Sequence, residues 1–103
     1  MHKVRITVLR KASYPDLMEQ YENPLENQCD MIEGSVFVSE NALIPEGFCE
    51  SAWETLHPFV KILSQGGGNF YGDWMKNPNS AVLSCNDGFR PVSFLVETVK
   101  DET

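Results

Sequence analysis

Three cysteines, Cys29, Cys49 and Cys85, and one interior histidine, His57, are the residues of this chain whose chemistry is most easily put to use. Cys49 follows the turn Pro45-Glu46-Gly47 and Phe48, where an amphipathic run begins. A thiol in the first turn of a helix lies near free backbone N–H groups and the positive end of the macrodipole, which both favour thiolate. Glu46 and Glu50 flank it and oppose that effect. The competing reading is a small buried side chain packed beside Phe48, because free cysteine is among the most buried residue types. His57 shares a helical face with Cys49 and Trp53. Eight residues of helix is roughly 12 Å of rise, too far for a direct Cys49–His57 hydrogen bond.

A metal centre built from Cys29, Cys49, Cys85 and His57 would suit zinc in chemistry but not in spacing. The cysteines stand 20 and 36 residues apart, without the close pair that forms a zinc knuckle or a Cys-x-x-Cys redox motif. No metal and no cofactor is therefore expected. Gly66-Gly67-Gly68-Asn69 has the composition of a phosphate loop, yet it follows a helical pattern and no lysine comes before Lys76. The carboxylates form no Asp-x-Asp-x-Asp loop of the kind that binds calcium. Phe70, Tyr71 and Trp74 form an aromatic cluster that could line a pocket or an interface, and Arg90 could receive a carboxylate ligand. Core packing for the aromatics and a structural ion pair for Arg90 are the alternatives.

The elements that must position these residues follow from periodicity. Lys3 to Arg10 alternates polar and apolar side chains, as a half-buried strand does. Ser13 precedes a short helix with Pro15 in its first turn and Leu17, Met18 and Tyr21 on one side; Asn23-Pro24 ends it. Residues 22–33 read as an irregular polar excursion, and Ser35 to Val38 as a short strand. Phe48, Ala52, Leu56, Phe59, Val60 and Leu63 recur at helical spacing, with Pro58 placed to kink or divide the helix and Gly66 to Gly68 to stop it. Ala81 to Cys85 and Pro91 to Val99 read as two strands joined at Asn86-Asp87-Gly88, an antiparallel hairpin. The sum is a single α+β domain over residues 1–103: a mostly antiparallel sheet of about four strands, one long kinked helix on one face and one short helix.

Bulk properties narrow the function classes. The chain has 103 residues, 42% of them hydrophobic, with eight basic and fifteen acidic side chains and a net charge of −7. Such a balance repels phosphate backbones and anionic lipid, which argues against nucleic-acid and membrane partners. Apolar runs are far shorter than the ~20 residues of a membrane span. The first residues lack the apolar core of a signal peptide, and an odd cysteine count argues against a disulfide framework, so a cytoplasmic setting is expected.

The strings Pro45-Glu46-Gly47-Phe48-Cys49, Ala52-Trp53, Gly67-Gly68-Asn69-Phe70 and Cys85-Asn86-Asp87-Gly88-Phe89-Arg90-Pro91-Val92 together resemble a family of small uncharacterised prokaryotic proteins of about this length. The opening strand Lys3 to Val8 fits as well. Members often carry Pro-Trp after the helix-start cysteine, where this chain has Glu50-Ser51. The resemblance implies a fold and a cytoplasmic setting, with no established activity. Two functions are carried forward. One is a non-catalytic module, a candidate homodimer, that binds a small molecule or a protein through Phe70, Tyr71, Trp74 and Arg90. The other is a thiol-dependent redox or metal-binding protein that uses Cys49 with Cys29 or Cys85.

Overall fold

A computed structural model describes residues 1–24 and 29–100. Part of the polar excursion, residues 25–28 with Glu26 among them, lies outside the described residues. Four strands, β1 (Val4–Lys11), β2 (Val36–Ser39), β3 (Ser80–Ser84) and β4 (Val92–Thr98), form one antiparallel sheet in the order β2-β1-β4-β3. Two helices complete the α+β fold, α1 (Pro15–Tyr21) before β2 and α2 (Glu50–Ser64) between β2 and β3.

Period-two alternation decides which face of the sheet is covered. Val4, Ile6 and Val8 of β1 and Val92, Phe94 and Val96 of β4 all point to the face that α2 covers. Ala52, Leu56, Val60 and Leu63, spaced by three or four residues, form the helical stripe that meets them, and all are buried. Phe48, just before α2, sits edge-on to Phe37 at 5.0 Å between ring centroids and tilted against Phe94 at 5.5 Å. Burying one such aromatic ring contributes roughly 1.5–3 kcal/mol relative to exposure, so this cluster is a major tie between α2 and the sheet. Three buried serines cost little, because each hydroxyl donates to a backbone carbonyl: Ser39 to Leu43, Ser64 to Lys61 and Ser80 to Asn77, each at 2.7 Å.

The helices refine the sequence reading in their details. Of the two outcomes Pro58 allowed, division does not occur: α2 runs through it as the one long helix expected. Pro58 lies on the exposed face, where the Glu54 carbonyl that loses its donor can turn to water. Tyr14, not Ser13, is the residue that precedes α1, and it makes no side-chain cap. The apolar side of α1 is not part of the core, since Leu17 and Tyr21 are exposed and no residue of this helix is buried. The C-terminus of α2 follows expectation: Gly66 takes φ +86, its N–H bonds to the Leu63 carbonyl and the Gly67 N–H to that of Ile62. This is the left-handed glycine cap that satisfies otherwise orphaned carbonyls.

Two hydrogen bonds fix the direction of α2. His2 N–H, at the start of β1, donates to the carbonyl of Ser64 at the helix end, and Thr98 N–H, at the end of β4, donates to Asn79 just before β3. The last turn of α2 therefore sits at the end of the sheet where β3 begins. Its first turn lies at the other end, where β3 stops and β4 starts.

Candidate functional site

That geometry brings the cysteines together. Cys49 precedes the first turn of α2 with extended backbone, φ −66 and ψ 120. Cys85 follows directly on β3, and Cys29 lies in the segment before β2. All three line one cavity of about 60 Å³, together with Met31, Ser51, Ala52, Asp87, Arg90, Val92 and Phe94. Space of that size holds a water molecule or a small reactant. Cys29 is exposed and Cys49 and Cys85 are half-buried, so the lining combines one solvent-accessible and two partly covered cysteines. A second hollow, lined by Lys11, Ala12, Ser13, Cys29 and Arg90, adjoins it and shares Cys29 and Arg90.

Each thiol is held differently. The Sγ of Cys49 lies 3.3 Å from Ser51 Oγ, and either atom can donate. The Sγ of Cys85 accepts from the Val92 N–H at 3.3 Å and reaches the Arg90 carbonyl at 4.0 Å, so this thiol is part of the loop joining β3 and β4. The Cys29 carbonyl accepts from Lys11 Nζ at 3.4 Å, which holds the Cys29 backbone against the end of β1. All three cysteines are unbridged. Among the described residues, no three His, Cys, Asp or Glu side chains are gathered closely enough to hold a metal ion. His57 is not part of the cavity lining: it stacks on Trp53 at 5.2 Å with 28° between the rings.

Arg90 borders the cavity, yet its guanidinium is engaged. Nη1 donates to Glu22 Oε2 at 2.9 Å, Nη2 bonds to Glu22 Oε1, and Asp87 Oδ2 lies 3.5 Å from Nη1. The hydrogen bonds that the guanidinium donates to Glu22 push the arginine above its ordinary range; partial burial works against this, and the charges of Glu22 and Asp87 add to it. Asp87 also accepts from the N–H groups of Phe89 and Arg90 at 2.8 and 3.2 Å, which shapes the loop. The ion pair ties the end of α1 to the β3–β4 loop.

The aromatic candidates stand elsewhere. The loop with Phe70, Tyr71 and Trp74 leads into the start of β3, while Arg90 lies past its end, so the fold places them at opposite ends of that strand. Phe70 packs on Phe59 at 5.0 Å, beside the core. Tyr71 and Trp74 are exposed and meet edge to face at 5.3 Å, with Tyr71 at φ +52.

Met31, Ser51 and Asp87 are cavity residues that sequence reasoning does not single out. Asp87 sits in a recognisable turn, but nothing in the sequence says that the turn closes over a thiol. No helix of the described residues is long and apolar enough to cross a membrane. Comparison of the chain with protein-family models, characterised proteins and solved structures finds no match.

Proposed function

We propose that this protein is a thiol-dependent redox protein in which Cys49 acts with Cys29 or Cys85. The observation that carries the reading is the lining of a single cavity by all three cysteines, drawn from three separate segments. Thiols distributed for packing alone have no reason to face one small space, and Met31 adds a fourth sulfur side chain to it. Cys49 is the first nucleophile: it stands at the positive end of a fifteen-residue helix and beside the Ser51 hydroxyl.

The chemistry is dithiol–disulfide exchange with a small disulfide. The Cys49 thiolate attacks one sulfur of the substrate, forming a mixed disulfide and releasing one thiol. The second cysteine then attacks the Cys49 sulfur and releases the other thiol, leaving an intramolecular disulfide. Two electrons and two protons pass from protein to substrate. A site that works from the reduced state suits the cytoplasm.

A second reading, a binding or interaction module, draws support from the exposed Tyr71–Trp74 pair on a left-handed corner, because strain of this kind concentrates at functional sites.

Incubation of the reduced protein with oxidised glutathione, followed by peptide mapping without reductant, tests the first reading. The expected product is an intrachain disulfide containing Cys49, lost in Cys49→Ser. Recovery of three free thiols, or of glutathione on Cys29 alone, would overturn it.

A further inference from the structure

Among the described residues no helix packs on the face of the sheet opposite α2, and its side chains form an ordered pattern. Strand pairing aligns Val36, Thr7, Leu95 and Val82 in one row across all four strands. On one side of that row stand Val38, Arg5, Glu97 and Ser80. On the other side the register of β1 shifts between Val8 and Arg10, so that Leu9 and Arg10 both lie against Ser93, next to Ser84. Val36, Val38, Leu9 and Val82 are 54%, 44%, 43% and 39% exposed.

We infer that this face is covered by a second copy of the same chain, related by a two-fold axis that runs parallel to the strands between β1 and β4. Charge complementarity selects this occupant and this axis. Such an axis places the β1 position of one copy over the β4 position of the other at the same height. Arg5 then faces Glu97 of the second copy, and Glu97 faces its Arg5, at two symmetric points. Within one copy these groups already pair, with Arg5 Nη2 3.2 Å from Glu97 Oε1, so four alternating charges close a ring. The same rotation sets Val36 over Val82 of the second copy.

Shape agrees with charge. Leu9, Arg10, Val82 and Ser93 line a hollow of about 430 Å³ on this face, floored by the small Ser93. The rotation carries Leu9 of the second copy onto Ser93, into that hollow, and the reverse contact follows by symmetry. The alternative axis, perpendicular to the strands, would bring Arg5 over Arg10 of the second copy, and that arrangement is repulsive.

Area sets the strength. Four strands about 4.8 Å apart and roughly six residues long cover about 400 Å² per copy. The two copies together bury about 800 Å², less than a standard specific interface, so the dimer is weak and concentration-dependent.

Sedimentation equilibrium of the full chain, in reductant so that disulfide-linked pairs do not contribute, tests the inference. The expected result is a reversible monomer–dimer equilibrium that Leu9→Glu and Val82→Glu each weaken by about tenfold or more. Arg5→Glu and Glu97→Arg also weaken it, and the double exchange R5E/E97R restores it, while circular dichroism verifies that every variant is folded. A monomer across the millimolar range, or a dimer unaffected by Leu9→Glu in a folded protein, would overturn it. A dimer that Tyr71→Ala dissolves while Val82→Glu leaves it intact would assign the contact to the aromatic loop and overturn it equally.

Discussion

The Sγ of Cys85 accepts a hydrogen bond from the backbone N–H of Val92 at 3.3 Å, across the loop that joins β3 to β4. The thiol is thus both a wall of the cavity and a structural acceptor, and the two roles separate by substitution. Cys85→Ala leaves a part-buried N–H without a partner and is expected to cost about 1–3 kcal/mol in urea unfolding. Cys85→Ser retains an acceptor and should recover part of that loss.

Gly68, just past the end of α2, and Gly88, in the β3–β4 loop, differ sharply in what they tolerate. A Cβ on Gly68 would run into the Pro78 carbonyl oxygen, a backbone atom that cannot swing aside, whereas a Cβ on Gly88 meets no atom within 4 Å. Gly68→Ala is expected to destabilise by about 1–3 kcal/mol. Gly88→Ala should stay within about 0.5 kcal/mol of the parent. Thermal unfolding of the two variants side by side measures the difference.

Pro58 occupies the middle of α2 on its solvent face, so it withholds a donor without contributing to the core. Pro58→Ala restores the N–H to the Glu54 carbonyl and is expected to stabilise by about 1–2 kcal/mol, part of the helix gain being offset by a freer unfolded chain. An unfolding midpoint below that of the parent would contradict this account of the helix.

The Arg90–Glu22 pair ties down α1, a helix with no buried residue. Arg90→Gln is expected to expose residues 15–24 to limited proteolysis while the sheet stays protected. Arg90→Lys should rescue only partly, because one ammonium cannot match the two-pronged geometry. The guanidinium is shifted upward by Glu22. As a group raised in the folded state, it stabilises at every pH below the arginine range, and that contribution falls only in strong alkali. Proteolytic protection of α1 should therefore show no arginine-linked loss between neutral pH and mild alkali.

Much of the fold was legible because alternation in Val4 to Val8 and Val92 to Val96 and the stripe from Phe48 to Leu63 each report a buried face directly. The site was less so. Cys49 and Cys85 line the same cavity because α2 runs back along the sheet, bringing its first turn to the far end of β3, and spacing along the chain carries no record of that reversal. Arg90 was readable as a structural ion pair, but its partner Glu22 lies 68 residues away and no local pattern names it. Pro58 left two outcomes open in the sequence, a kinked helix or two pieces, and the single helix is tolerated because the freed carbonyl faces water. The aromatic residues drew attention by composition, while their separation from Arg90 depends on which end of β3 each loop serves.

The central claim, that the cysteines converge on one cavity and act as a pair, is tested most directly by titrating the native reduced protein with phenylarsine oxide, which binds stably only where two thiols approach each other. The account predicts one equivalent bound per chain, with two thiols protected from a thiol reagent and binding lost in Cys49→Ser. Absence of binding to the folded protein, with all three thiols titrating singly, would contradict it.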